Sequence, residues 1–319
     1  MAAYKLRLDA VKGFLSEYYI YLILVVFWLI ASGFIIGFIS LYNLATLIIV
    51  CAPLALVSLG QNMSIITGGI DLSVGAIVSL GTAIASNIME IDPTLAILIV
   101  ILGGLGIGAF NGACVTKLKV DPFIVTLGSM GIASGLALYL RPHPGGYISP
   151  EFINMILYKQ EIFGVLFPIG PFIILVITVI IGEMILMRRN FGRMVYAIGG
   201  NETYARMLGV PIDRVKFLVY VISGIVSAIA GLYVAALMNA GDASVGDPYV
   251  INSIIAVTLG GTPITGGSGR FINTVGAAMV VSTIDRILNQ LGVNIWWSWI
   301  IKGVLLALII AISTKVIRK

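Results

Sequence analysis

The strongest constraint on this chain is a succession of apolar runs, each near 20 residues, separated by short polar or glycine-rich joints. A helix of that length is about 30 Å long, enough to cross the hydrocarbon core of a bilayer. Transmembrane strands would instead alternate in polarity over about 10 residues, so a barrel does not fit. The chain is 59% apolar and 10% charged, with a mean hydropathy of +1.08. Ordinary soluble domains carry about 25% charged residues. The expected fold class is all-α: a polytopic helical membrane protein, residues 1–319 forming a single transmembrane domain. About ten transmembrane helices fit, near 20–39, 44–66, 73–89, 94–114, 122–140, 163–187, 215–237, 249–262, 271–291 and 296–314. The first follows Lys5, Arg7 and Lys12. It is too long for a signal-peptide core and lacks an A-x-A site, so it reads as a retained span.

Charge orients this arrangement. With both termini inside, 15 of the 19 Lys and Arg residues fall on inner segments. Outer loops hold Arg141 and Lys159 with the acids Glu90, Asp92, Glu151, Glu161, Asp242 and Asp247. Positive charge resists translocation, so the pattern predicts a multi-pass protein with both termini cytoplasmic. The net charge of +5 is explained by these loops and needs no nucleic acid. The outer segment 141–162, RPHPGGYISPEF at its start, reads as a capping loop or short interfacial helix, with the lone His143 incidental. Cys51 and Cys114 lie inside apolar runs and read as small buried hydrophobes, without a disulfide or metal role.

Between Arg188 and Lys216 the chain turns polar, RRNFGRMVYAIGGNETYARMLGVPIDRVK, with six Lys and Arg residues in 29 positions. Asn201 is placed to cap a helix and Glu202 to favour its positive end. That helix is expected to run through Leu208 and stop at Gly209, with Pro211 blocking continuation. A helix displayed there is expected to touch a partner.

Helix breakers concentrate in two further stretches, SLGQNMSIITGGIDLSVGA from Ser58 to Ala76 and TLGGTPITGGSGRF from Thr258 to Phe271. Irregular backbone at membrane depth survives only when covered by protein or lining a wet cavity, and transport sites use such breaks. Close glycine-mediated packing is the alternative. The candidate translocation path is Gln61, Asn62, Ser64, Thr67, Asp71 and Ser73. Asp71 either caps the helix that begins near Val74 or binds a polar solute. The two stretches echo each other, Val57-Ser58-Leu59-Gly60 with Thr67-Gly68-Gly69 against Val257-Thr258-Leu259-Gly260 with Thr265-Gly266-Gly267, on spans expected to point the same way. Asp285, Arg286 and Lys302 read as ion pairing or snorkelling near an interface, with Asp285-Arg286 favoured as a local ion pair. Glu183 is placed to pair with Arg188 or Arg189.

GGIDLSVGAIVSL (Gly68–Leu80), DPFIVTLGSMGIASGLAL (Asp121–Leu138), GRMVYAIGGNETYARMLGV (Gly192–Val210) and LGGTPITGGSGR (Leu259–Arg270) resemble the ribose-type permease subunits of bacterial ABC importers. The broader family extends to branched-chain amino-acid permeases, and its members include permeases for nucleosides. The resemblance covers about Tyr42 to Ser313. It implies two permease subunits, identical or paralogous, with two ATPase subunits and a periplasmic or lipid-anchored binding protein that delivers a simple sugar. By the same resemblance, residues 194–209 form a cytoplasmic coupling helix. Gly200, Asn201, Glu202, Ala205, Arg206 and Gly209 would seat it in a groove of the ATPase. The chain has no G-x-x-x-x-G-K-[ST] string, so ATP is expected on the partner, and no catalytic, cofactor or metal residue is expected here.

An ion-coupled secondary transporter is the main rival, and Asp71 is its one good intramembrane acid. A membrane enzyme lacks any H-E-x-x-H, G-x-S-x-G or plausible dyad. A purely structural subunit would not need broken polar spans.

Overall fold

The computed structural model describes residues 19–294, 296–304 and 307. Its helices are α1 (Tyr19–Phe34), α2 (Leu41–Ile66), α3 (Ser73–Ile88), α4 (Pro93–Thr116), α5 (Pro122–Leu140), α6 (Pro150–Ile156), α7 (Ile169–Glu183), α8 (Asn190–Gly200), α9 (Glu202–Met207), α10 (Ile212–Met238), α11 (Asp247–Leu259) and α12 (Phe271–Gln290). Residues 296–304 are also helical. Six helices among the described residues are long and apolar enough to cross a membrane, α2, α4, α5, α7 with its π turn, α10 and α12. Apart from the start of 163–187, each expected span coincides with helix within about five residues, although the end of 296–314 lies outside the described residues, as do Lys5, Arg7, Lys12, Lys315, Arg318 and Lys319.

Local chemistry sets the helix starts. Asp92, Asp121 and Ser149 each accept a backbone N–H bond as N-cap and are followed by a proline in the first turn of α4, α5 and α6. Proline there loses no helical bond and brings a φ already suited to the helix. Ser40 caps α2 in the same way, accepting from Asn43.

Helix α2 is the hub, with 78% of its most apolar window buried against 22% for α4 at the rim. The tightest pairing joins α4 to α10. Gly104, Gly108 and Gly112 form a ridge at i, i+4 and i+8, and a Cβ on each would come within 2.4, 2.3 and 2.9 Å of the Gly224, Tyr220 and Phe217 carbonyl oxygens. Only hydrogen at these positions lets the two backbones meet, the small-residue packing common between membrane helices.

The helices alternate between two ends of unlike charge. Lys119 bonds Asp213 at 2.7 Å at the end that also carries α8, α9 and Arg270. The opposite end is tied by Gly145 pairing with Gly241 and by the Asp242 N–H donating to Thr82 Oγ1. It carries Glu90, Asp92, Glu151, Glu161, Asp242 and Asp247.

Four expectations need correction. The span begun at 163 starts instead at Ile169, because Gln160–Ile162 and Val165–Phe167 pair as a small antiparallel hairpin (β1 and β2) after α6. Residues 194–209 are not one helix: Asn201, in extended conformation at φ −166°, separates α8 from α9. Asp285 does not pair with Arg286, since consecutive helical residues point about 100° apart. It binds Lys302 Nζ at 2.6 Å and accepts from Ser298 Oγ at 2.7 Å, while Arg286 donates to Asn43 Oδ1 and lies over the Tyr42 ring. Glu183 faces α12 rather than Arg188 or Arg189. It accepts the Ile272 N–H at 2.7 Å, at the positive end of that helix, with Arg270 at 3.9 Å. Both cysteines are free, Cys51 buried and Cys114 half-buried.

Candidate permeation path and docking helix

Gln61, Asn62, Ser64, Thr67, Asp71 and Ser73 are all buried, and they fall into distinct groups. Asp71 lies in the break between α2 and α3. Its Oδ1 accepts from the Ser73 N–H at 3.0 Å and the Ser73 hydroxyl at 2.6 Å, and its Oδ2 accepts from Ser223 Oγ on α10 at 2.7 Å. Asn111 on α4 donates to Ser73 Oγ at 2.9 Å. One carboxylate thus joins α3, α4 and α10 and holds the first turn of α3. Thr67 closes the other side of the break, donating to the Ser64 carbonyl at 2.9 Å.

Asn62 forms a second knot. Its Nδ2 donates to Thr262 Oγ1 at 3.0 Å and Thr274 Oγ1 at 2.9 Å, fixing α2 to the glycine-rich loop and to α12. The ends of α2 and α11 therefore lie side by side, and the two helices run in the same direction. They also close alike: Gly69 N–H reaches the Ser64 carbonyl, and Thr262 N–H reaches that of Val257. The closures fall at different offsets within the echoed sequences, so the shared feature is the helix end rather than a repeat.

Gln61 and Ser64 differ from the rest in degree, since Asn62 leaves only its Oδ1 without a partner among the described residues. Among the described residues, neither Ser64 Oγ nor either polar atom of the Gln61 amide has a hydrogen-bond partner, and the same holds for Ser58 Oγ one turn earlier.

At the basic end, Asn201 accepts the Tyr204 N–H at 3.0 Å and caps α9, with Gly209 at φ +79° ending it. Glu202 accepts from Lys216 Nζ at 2.6 Å and more loosely from Arg206 at 3.3 Å. The Lys216 ammonium holds the Glu202 carboxyl below the usual range. Ala205 turns inward, whereas Tyr204, Met207 and Leu208 are exposed. The segment rests on the bundle through Gly199, where a Cβ would lie 1.7 Å from the Ile66 carbonyl oxygen. Gly267 N–H donates to that same oxygen at 3.0 Å, and Tyr196 donates to the Gly269 carbonyl at 2.7 Å. The polar segment and both glycine-rich stretches therefore meet at the end of α2. Sequence reasoning had found all three pieces separately, with Gly199 read only as part of a turn, and missed its seat on Ile66 and the bonds of Ser223, Asn111 and Lys216 because only the folded chain brings them to their partners. Among the described residues, no group of three or more His, Cys, Asp or Glu gathers to hold a metal.

Residues 43–310 match the family model described as branched-chain amino acid transport system / permease component. The chain belongs to this family. It is a multi-pass membrane protein. It is similar to the ribose import permease protein of Bacillus subtilis, at 34% identity over 88% of this chain and 87% of that one. The ribose import permease protein of Escherichia coli strain K12 is 31% identical over 95% of each chain. The D-allose transport system permease protein of the same strain is 30% identical over 86% of this chain and 84% of that one. No solved structure is a significant match.

Proposed function

We propose that this family member is the transmembrane permease subunit of a bacterial ABC importer for a simple sugar. It would cross the inner membrane about ten times with both termini cytoplasmic, the basic end inside and the acidic end facing a periplasmic or lipid-anchored binding protein. The names of its relatives support the sugar, and the unlike charge of the two ends supports the orientation.

The observation that carries the mechanism is the junction of α9 with α2. Helix α9 and its C-cap show Tyr204, Met207 and Leu208 to solvent at 66, 76 and 81% exposure, and a cluster of exposed apolar side chains of this kind suits contact with another protein. Its other residues fix its shape: Asn201 caps it, Glu202 and Arg206 brace it, Ala205 seats it, and Gly200 and Gly209 bound it. Seated on an ATPase subunit, α9 would receive the motion of ATP-driven closure. The Gly199–Ile66 contact would hand that motion to α2, which carries Gln61, Asn62 and Ser64. Two such subunits, identical or paralogous, would flank a central path whose access alternates between the two sides. ATP would be bound by the partner ATPase. The path would bind its solute weakly, because the binding protein supplies selection and tight binding would slow release.

Purification from the native membrane in mild detergent, followed by mass spectrometry of what accompanies the chain, tests this reading. A stoichiometric ATPase is the expected result. A stable assembly without one, with uptake dependent on a proton or sodium gradient, would favour a secondary transporter instead. The engagement of both Asp71 oxygens by hydroxyl and amide donors already weighs against that acid as an ion carrier.

A further inference from the structure

Helix α2 assigns its directions clearly. Leu59 lies toward Gly182 of α7 and Phe271 of α12, Gly60 meets Ser223 of α10, and Asn62 bonds Thr262 and Thr274. With about 100° between successive residues, Gln61 points into the arc between the α10 and α12 directions, away from α7. Ser58 and Ser64 flank it on the same arc at i−3 and i+3. Val57 shares this arc and packs with Val74 and Val78 of α3 and with Tyr249 of α11. Ser58, Gln61 and Ser64 are each 0% exposed, yet their polar side-chain atoms have no partner among the described residues. Buried polar groups are nearly always paired, because leaving them unpaired sacrifices stability. The neighbouring Asp71, Ser73 and Thr67 obey that rule and Asn62 pairs its Nδ2, though not its Oδ1, so the bundle is able to satisfy polar groups at this depth.

We infer that Ser58, Gln61 and Ser64 form a hydrogen-bonding strip for the transported solute, and that this solute is neutral and polyhydroxylated. The inference rests on the permease reading above and adds residues and ligand chemistry to it. Two hydroxyls and a carboxamide both donate and accept, matching the hydroxyls of a sugar. α2 and α3 carry no Lys, Arg, Asp or Glu. The broken-helix terminus that would otherwise attract a solute carboxylate is the start of α3, and it already holds the Asp71 carboxylate. A zwitterionic amino acid therefore finds neither of its charges answered along the strip. Asp71, Ser73 and Asn62 act instead as ties that hold the strip in place.

Single Ser58→Cys, Gln61→Cys, Ser64→Cys and Leu59→Cys variants, made with Cys51→Ala and Cys114→Ala, test the placement. They are treated in membrane vesicles with the impermeant thiol reagent 2-(trimethylammonium)ethyl methanethiosulfonate, with the whole transporter energised by ATP. Positions 58, 61 and 64 should react and 59 should not; equal reactivity at all four, or none at 58, 61 and 64, overturns the strip. Gln61→Met, which keeps side-chain volume, tests the chemistry. Its melting temperature in detergent should be equal to or above the parent's, while D-ribose, D-allose or D-fructose uptake falls at least about tenfold, the effect of losing roughly one solute hydrogen bond. A lowered melting temperature with unchanged uptake would make Gln61 a packing residue and refute the proposal. If the parent imports none of these sugars but does import a branched-chain amino acid, the neutral-solute claim falls. If the parent has no ATPase partner, the permease reading fails, and labelling without ATP still decides whether the strip meets water.

Discussion

Asp71 illustrates how one side chain can look functional and serve the frame. Its carboxylate collects hydrogen bonds from Ser73 and Ser223, and Ser73 in turn receives Asn111. Replacing Asp71 with Ala strands these donors in the interior. We expect a loss of about 2–4 kcal/mol, seen as a lower melting temperature in detergent. Ser223→Ala removes a single contact and should cost about 1 kcal/mol. A capping role for Asp71 was legible in the sequence because Asp followed two residues later by Ser is a local pattern. The tie to Ser223 was not, since that partner stands 152 residues away and no local pattern announces it. Gln61 shows the converse: its polarity was visible in the sequence, but only the packed bundle shows that its amide has no partner among the described residues.

At the scale of elements, α9 is the clearest success of local reasoning and also its limit. Its cap at Asn201 and stop at Gly209 follow from residue chemistry, and Asn201→Ala should loosen it by about 1 kcal/mol, measurable as faster amide exchange in Glu202–Met207. The residues themselves marked the break between α8 and α9, since Gly199-Gly200-Asn201-Glu202 reads as a turn and a helix start; the range 194–209 taken from the family resemblance ran across it. Substituting Tyr204, Met207 and Leu208 with Ser should reduce recovery of the ATPase with the permease without changing the permease's melting temperature. Glu202→Ala with Gly209→Val should uncouple ATP hydrolysis from uptake while the membrane helices stay folded; normal coupling would count against the docking role. Because Lys216 lowers the Glu202 pKa from its ordinary 4.5, this anchor contributes above that pH and is lost as pH falls through the lower folded-state value. Exchange protection of α9 should therefore hold at neutral pH and decline only in acid, and Lys216→Met should weaken that dependence, leaving the smaller part that Arg206 supplies.

Across the whole molecule, the period and length of the apolar runs announced the helices, and their charged joints announced two unlike ends. The way helices pair was not legible, because lipid-facing and buried faces are equally apolar. The ridge Gly104-Gly108-Gly112 stood in plain view as G-x-x-x-G spacing, yet nothing in the sequence named α10 as its mate. Gly108→Leu should separate α4 from α10 and abolish recovery of folded protein from membranes. The proposed orientation makes Lys159→Cys reactive to an impermeant thiol reagent in intact cells stripped of the outer membrane, and Arg193→Cys reactive only after lysis; the reverse pattern would invert the topology. The seat of Gly199 on the Ile66 carbonyl has one last consequence. Atoms in van der Waals contact resist being pressed together but offer almost nothing against being drawn apart, so this joint bears compression like a masonry block. Traction on α2 has to pass through the slender ties beside it, the Gly267 and Tyr196 hydrogen bonds. Under the proposed coupling, the driven stroke toward the membrane and the return stroke would be carried by different atoms, and a single substitution would weaken one while sparing the other.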